Sequence, residues 1–130
     1  MHLLRLSGSN VLIVEDELLI ALDIQVALED AGAKTMVVGS VREGLALLDG
    51  IETPFDAAVL DVRLGAEEVF PVADVLASMG VPIVFHSGHA RAIDLAQHYP
   101  RASVLPKPAP PERLIAALAE GDAQRSPAVG

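Results

Sequence analysis

At 130 residues the chain is long enough for one aliphatic core, and the absence of cysteine excludes disulfides, thiolate nucleophiles and thiolate metal sites. Apolar residues make up 52% and aromatics 3%, which excludes disorder and leaves the core to Val, Leu, Ile and Ala. A formal net charge of −9 argues against a nucleic-acid surface, which needs clustered Lys and Arg, yet suits a divalent cation or a basic partner.

Residues 11–14 form a first apolar run, read as a strand, followed by Glu15, Asp16 and Glu17. Residues 18–31 carry apolar side chains at helical spacing and stop at Gly32, a good C-cap. A second strand is expected over 34–39. Ser40-Val41-Arg42-Glu43 is a capping box that opens a helix running to about residue 49, closed by Gly50. Residues 57–60 are a short continuous apolar run, the pattern of a strand covered on both faces, and the run ends at Asp61. After a loop containing Gly65, a helix is expected over 68–79, with Pro71 tolerated in its first turn. Residues 81–87 are the fourth strand, broken by Gly88. A weaker helix covers 90–99, a short strand 102–105, and a last helix 112–120, entered through Pro110-Pro111. Residues 121–130 read as a flexible tail, which leaves a single domain over 1–120. No apolar run reaches the length of a membrane span, and residues 1–10 lack the apolar core of a signal peptide. No membrane contact and a cytoplasmic location are therefore expected.

Strand and helix alternate throughout, which specifies the α/β class: a parallel sheet with helices on both faces and right-handed crossovers. All carboxyl ends of a parallel sheet lie on one edge, so Glu15, Asp16, Asp61, Ser87 and Lys107 converge there. Clustered carboxylates repel, and their pKa values rise unless a cation joins them. Oxygen ligands without cysteine suit a hard divalent cation, Mg2+ above all. One carboxylate could then attack phosphorus to give an aspartyl phosphate. The metal and Lys107 would neutralise the phosphoryl oxygens, and Ser87 could donate a hydrogen bond to one of them. Each residue also has an ordinary explanation. The acidic run 15–17 could complement a helix dipole. Asp61 could end its strand in a turn, Ser87 could be a turn residue, and Lys107 a solvated loop lysine. Their joint placement at the ends of four strands, in order, favours chemistry.

The stretches Val11-Leu12-Ile13-Val14-Glu15-Asp16, Leu60-Asp61-Val62-Arg63-Leu64, Val81-Pro82-Ile83-Val84-Phe85-His86-Ser87-Gly88 and Lys107-Pro108 carry a resemblance. Over residues 11–120 the chain resembles the receiver domain of two-component response regulators. The resemblance implies a doubly wound five-stranded parallel sheet in the flavodoxin-like order 2-1-3-4-5. It implies Asp61 as phosphoacceptor, with Asp16, Asp61 and the Arg63 backbone carbonyl as direct Mg2+ ligands and Glu15 acting through water. Ser87 matches the switch hydroxyl, Lys107 the phosphate-contacting lysine, and the bond before Pro108 is expected to be cis. The implied partners are a histidine kinase or phosphotransfer protein and a downstream protein; a homodimer is compatible with the family. The implied function is that of a phospho-switch which catalyses its own phosphorylation and dephosphorylation.

The departures from the family pattern are specific. Val104 stands where receivers usually place an aromatic switch, and Leu64-Gly65-Ala66-Glu67-Glu68 replaces the usual Pro-Gly turn. His86 and His89 replace the usual alanine and aromatic; Ala109 and Pro110 replace a more usual Phe and Ser/Thr. Together with Phe85-x-Ser87-Gly88, the missing aromatic and turn are similar to the stand-alone receivers of alphaproteobacteria that carry a Phe-Ala-Thr-Gly-Tyr type motif. Arg63 and His89 would flank the acyl phosphate and tune its lifetime. Two competing functions are a phosphatase of the haloacid-dehalogenase type and a degenerate receiver. The first wants a second acid where Arg63 stands. The second conflicts with the intact Glu15, Asp16, Asp61, Ser87 and Lys107.

Overall fold

The computed structural model describes residues 4–50, 55–88 and 92–125. In chain order the elements are β1 (Asn10–Val14), α1 (Leu18–Asp30), β2 (Lys34–Val38), α2 (Val41–Leu48), β3 (Ala57–Leu60), β4 (Arg63–Leu64), β5 (Glu67–Glu68), α3 (Phe70–Ser78), β6 (Ile83–Ser87), α4 (Ala92–His98), β7 (Ser103–Pro106) and α5 (Pro111–Arg125). The main sheet is parallel in the order β2-β1-β3-β6-β7, the flavodoxin-like arrangement. Its order reverses between β1 and β3, where open α/β sheets leave a crevice at the strand ends. The register aligns Val14 with Val38 and Leu60, and Leu60 with Phe85, so β2, β1 and β3 finish level while β6 runs two residues further, to Ser87.

The strands read as unbroken apolar runs because both sheet faces are covered. Alternate residues serve different cores. Val11, Ile13, Ala57, Val59 and Val84 pack with Ile24 and Leu28 of α1 and Leu114 and Leu118 of α5. Leu12, Val14, Ala58, Leu60 and Phe85 pack with Val41 and Leu48 of α2, Val72 and Leu76 of α3, and Leu95 of α4. Each fully buried Leu, Val or Phe contributes roughly 1.5–3 kcal/mol relative to exposure. Helix α1 is apolar beyond its buried side: Leu18, Leu19, Leu22 and Val26 are exposed.

Gly32 ends α1 as expected, at φ +100, and a Cβ there would lie 2.9 Å from Ser7 Cα. The capping box forms in a shifted version. Ser40 Oγ accepts from the Glu43 N–H at 3.1 Å, and Glu43 Oε1 accepts from the Gly39 N–H at 3.0 Å, and from the Ser40 hydroxyl at 3.4 Å, rather than from the Ser40 N–H.

Two stretches differ from the sequence expectation. The stretch after Asp61 is a hairpin, not a loop: Arg63 faces Glu68 and Leu64 faces Glu67 across a two-residue turn with Gly65 at φ +63. Buried Val62, Leu64 and Val69 pin it to the core, and α3 accordingly starts at Phe70, with Pro71 in its first turn. Helix α5 continues to Arg125, into the stretch read as a tail. Helix α4 is described from Ala92, so the expected start at residue 90 lies outside the described residues.

Candidate functional site

Backbone pairing carries the acids to one sheet edge. The Glu15 N–H donates to the Val38 carbonyl at 3.0 Å and the Asp61 N–H to the Val14 carbonyl at 2.9 Å, so the ladder continues one step beyond each strand. Glu15 and Asp61 are buried and Asp16 is exposed. One carboxylate oxygen from each of Glu15, Asp16 and Asp61 lies within 4.8 Å of the others. Lys107, the residue after β7, enters this group from the opposite side. Its Nζ donates to Asp61 Oδ2 at 3.0 Å and lies 2.9 Å from Glu15 Oε1, with Glu17 Oε1 more distant at 3.9 Å. The Lys107 N–H donates to the Ser87 carbonyl at 2.8 Å, and the Lys107–Pro108 peptide bond is cis. Ser87 ends β6, buried, in register with Pro106.

The electrostatics reflect one ammonium among three carboxylates. Burial pushes the Glu15 carboxyl from 4.5 up to about 7, with help from Asp61 and against the opposing effects of Lys107 and the Glu17 N–H. For Lys107, burial acts downward, but the adjoining Glu15 and Asp61 carboxylates more than offset it and hold the ammonium above its ordinary value. Glu15 Oε1 is buried and receives no well-directed hydrogen bond among the described residues; its 2.9 Å contact with Lys107 is an ion pair of poor angle. A buried oxygen without a well-aligned donor, in an all-oxygen set that shares one ammonium, fits a hard divalent cation.

The structure thus brings together Glu15, Asp16, Asp61 and Lys107, with Ser87 on the same edge. Arg63 lies exposed on β4, opposite Glu68. His89 lies outside the described residues. Val104 is half-buried and packs against the core as an aliphatic. A cavity of about 560 Å3 opens at the opposite sheet edge, lined by Pro82, Tyr99 and Arg101 among others. Its lining holds no carboxylate, so it does not match the strand-end chemistry.

Two features escaped the sequence. The Tyr99 hydroxyl, just past α4, donates to Asp74 Oδ1 of α3 at 2.6 Å. Its ring stacks on Phe70 at 6.1 Å and tilts against Phe85 at 5.1 Å. Phe70, Phe85 and Tyr99 are three of the chain's four aromatic residues; their scarcity was the available signal. Burial and the Asp74 carboxylate raise the Tyr99 pKa. The second feature is His86, which is buried and whose Nε2 accepts the Ala109 N–H at 3.1 Å.

No protein-family model and no curated protein matches the chain. Solved structures do. A response regulator receiver protein from Sinorhizobium medicae is 30% identical, with TM-score 0.81, over 90% of this chain and 96% of that one. A sensor protein from Polaromonas is 25% identical, with TM-score 0.76, over 92% and 99%. A CheY-like receiver domain protein from Methanospirillum hungatei has TM-score 0.79 at 22% identity, over 92% and 97%, a likeness of fold. With that fold and a near-full-length relative at 30% identity, the chain belongs to the response regulator receiver family of two-component signalling.

Proposed function

We propose that this receiver accepts a phosphoryl group on Asp61 from a histidine kinase or phosphotransfer protein and passes the signal on by protein binding. The observation that carries the reading is the placement of Lys107, whose ammonium touches Asp61 and Glu15 together at the edge where Asp16 completes the acidic group. Asp16, Asp61 and the Arg63 backbone carbonyl would hold Mg2+, with Glu15 acting through water. The ion would supply positive charge to the phosphoryl oxygens.

In the reaction an Asp61 carboxylate oxygen attacks phosphorus. The P–O bond forms as the P–N bond of the phosphohistidine breaks, and the imidazole leaves as the neutral base after protonation. Lys107 neutralises a phosphoryl oxygen from a position already fixed before the donor arrives. The Ser87 hydroxyl, at the end of β6, serves as the switch by donating to another. Arg63 and His89 set how fast water returns the phosphate. The chain therefore catalyses its own phosphorylation and dephosphorylation rather than turnover of a separate substrate.

The donor's docking surface follows from exposure. Leu18, Leu19 and Leu22 are exposed on α1, immediately after the acidic run, and a partner seated there delivers its histidine to the strand ends. No helix among the described residues is long and apolar enough to cross a membrane. We assign the chain to the cytoplasm with its donor.

The test is incubation with a small phosphodonor and Mg2+, followed by intact-mass measurement. One stable phosphate adduct is expected, lost in Asp61→Asn and with excess chelator. Donor turnover without an adduct would favour a hydrolase, and neither outcome a degenerate receiver.

A further inference from the structure

We propose that His86 is a positioning residue: its neutral imidazole ties the loop after β7 to β6 through the Ala109 N–H and thereby fixes Lys107 on Asp61. The inference rests on the reading of Asp61 as phosphoacceptor.

The loop's composition makes the tie important. In the run Lys107-Pro108-Ala109-Pro110-Pro111, three residues are proline and have no backbone N–H. Only Lys107 and Ala109 can donate. The Lys107 N–H goes to the Ser87 carbonyl at 2.8 Å, and the Ala109 N–H goes to His86 Nε2 at 3.1 Å. Both backbone donors of the loop therefore end on consecutive residues of β6. One bond is to main chain and survives any substitution. The other exists only because residue 86 has a side-chain acceptor.

The acceptor role fixes the ring's chemistry. A nitrogen that accepts an N–H carries no proton, so in the neutral ring the hydrogen resides on Nδ1. That nitrogen is buried and meets no partner among the described residues. Leaving a polar atom buried without a partner is costly, so the imidazole is not a cheap way to fill space. Burial and the neighbouring Lys107 charge both lower the His86 pKa, against the opposing pull of Asp61, and keep the ring in the accepting form. His86 points to the opposite face from Phe85 and Ser87, the face of α1 and α5. It therefore acts on Lys107 through the loop rather than by touching the reacting atoms.

The test uses the full chain and two variants. His86→Leu keeps apolar volume without an acceptor, whereas His86→Gln offers a carbonyl oxygen near the position of Nε2. In wild type, a 15N–15N coupling across the hydrogen bond should join Ala109 N to His86 Nε2, and its absence overturns the proposal. In the unphosphorylated protein the Lys107 ammonium resonance, protected by its ion pairs, should persist in His86→Gln and be lost in His86→Leu. Phosphorylation by a small phosphodonor at saturating Mg2+ should slow about tenfold in His86→Leu and stay within about threefold of wild type in His86→Gln. Equal slowing in both variants, a wild-type rate in His86→Leu, or an unchanged Lys107 signal there would each refute the positioning role. If wild type takes no phosphate at Asp61, the functional reading fails, while the coupling and the Lys107 signal still decide the role of His86. Should His86→Leu not fold, His86→Asn replaces it, because its amide is too short to reach Ala109.

Discussion

Removing the charge at Glu15 is expected to change how stability depends on pH, with a definite sign. In the folded, metal-free protein the carboxyl is raised from 4.5 to about 7. Below pH 4.5 it is protonated in both folded and unfolded chains, and its contribution is fully present. As pH rises from there, the unfolded chain releases the proton while the folded one retains it, so stability falls. One proton sets a limit of about 1.4 kcal/mol per pH unit, and the loss approaches about 3 kcal/mol once pH passes the folded value. Urea unfolding of wild type and Glu15→Gln, in chelator and in saturating Mg2+, measures it from about pH 4.5 to about pH 8. Comparing the two proteins isolates Glu15 from His86, whose lowered pKa acts in the opposite sense by adding stability as pH rises. In chelator the wild type should lose ground to the variant across this range. In Mg2+ the gap should close, because the cation favours the ionised carboxylate. A difference that stays flat with pH, or that Mg2+ leaves untouched, would refute the reasoning.

Three further outcomes are expected. A Cβ at Gly44 would lie 2.9 Å from Val72 Cγ2, so Gly44→Ala should destabilise by about 1–2 kcal/mol in denaturant unfolding despite its better helix propensity, and Val72→Ala should relieve part of the cost in the double variant. Tyr99→Phe removes the bond to Asp74 while keeping the ring, and should cost about 1 kcal/mol by the same assay. Ser87→Ala should still accept phosphate, but the amide shifts of residues 92–98 should no longer respond to the phosphodonor. An equal response in both proteins would remove Ser87 from the switch.

The acidic cluster was legible because it needs only topology. Once the strands are parallel, Glu15, Asp16, Asp61 and Lys107 reach one edge whatever the side-chain details. The hairpin at 63–68 was not legible, because strands of two residues leave no alternation to detect and Val62, Leu64 and Val69 are spaced for burial only after the turn exists. The end of α5 was misjudged for a different reason. The small, polar stretch 121–130 reads as a tail, yet a Cβ at Gly121 would lie 2.9 Å from Pro82 Cβ, so the residue lets α5 pass close to Pro82 and continue. The ion pair of Lys107 with Glu15 and the hydrogen bonds from Tyr99 to Asp74 and from Ala109 to His86 join residues far apart in sequence. They depend on side-chain direction, about which local pattern says nothing.

Tyr99 pins one end of α4. The helix has 7 residues, about 10 Å of length. It is anchored at its carboxyl end by the Asp74 bond and the Phe70 stack, while its amino end follows the strand that Ser87 terminates. With the pivot at Tyr99, a displacement of about 1 Å at the amino end amounts to a tilt of about 6° over that length, and the movement dwindles toward the pivot. If phosphorylation of Asp61 displaces that amino end, a binding protein that grips the first turn of α4 would read the change, whereas one that grips His98 would find the same surface in both states.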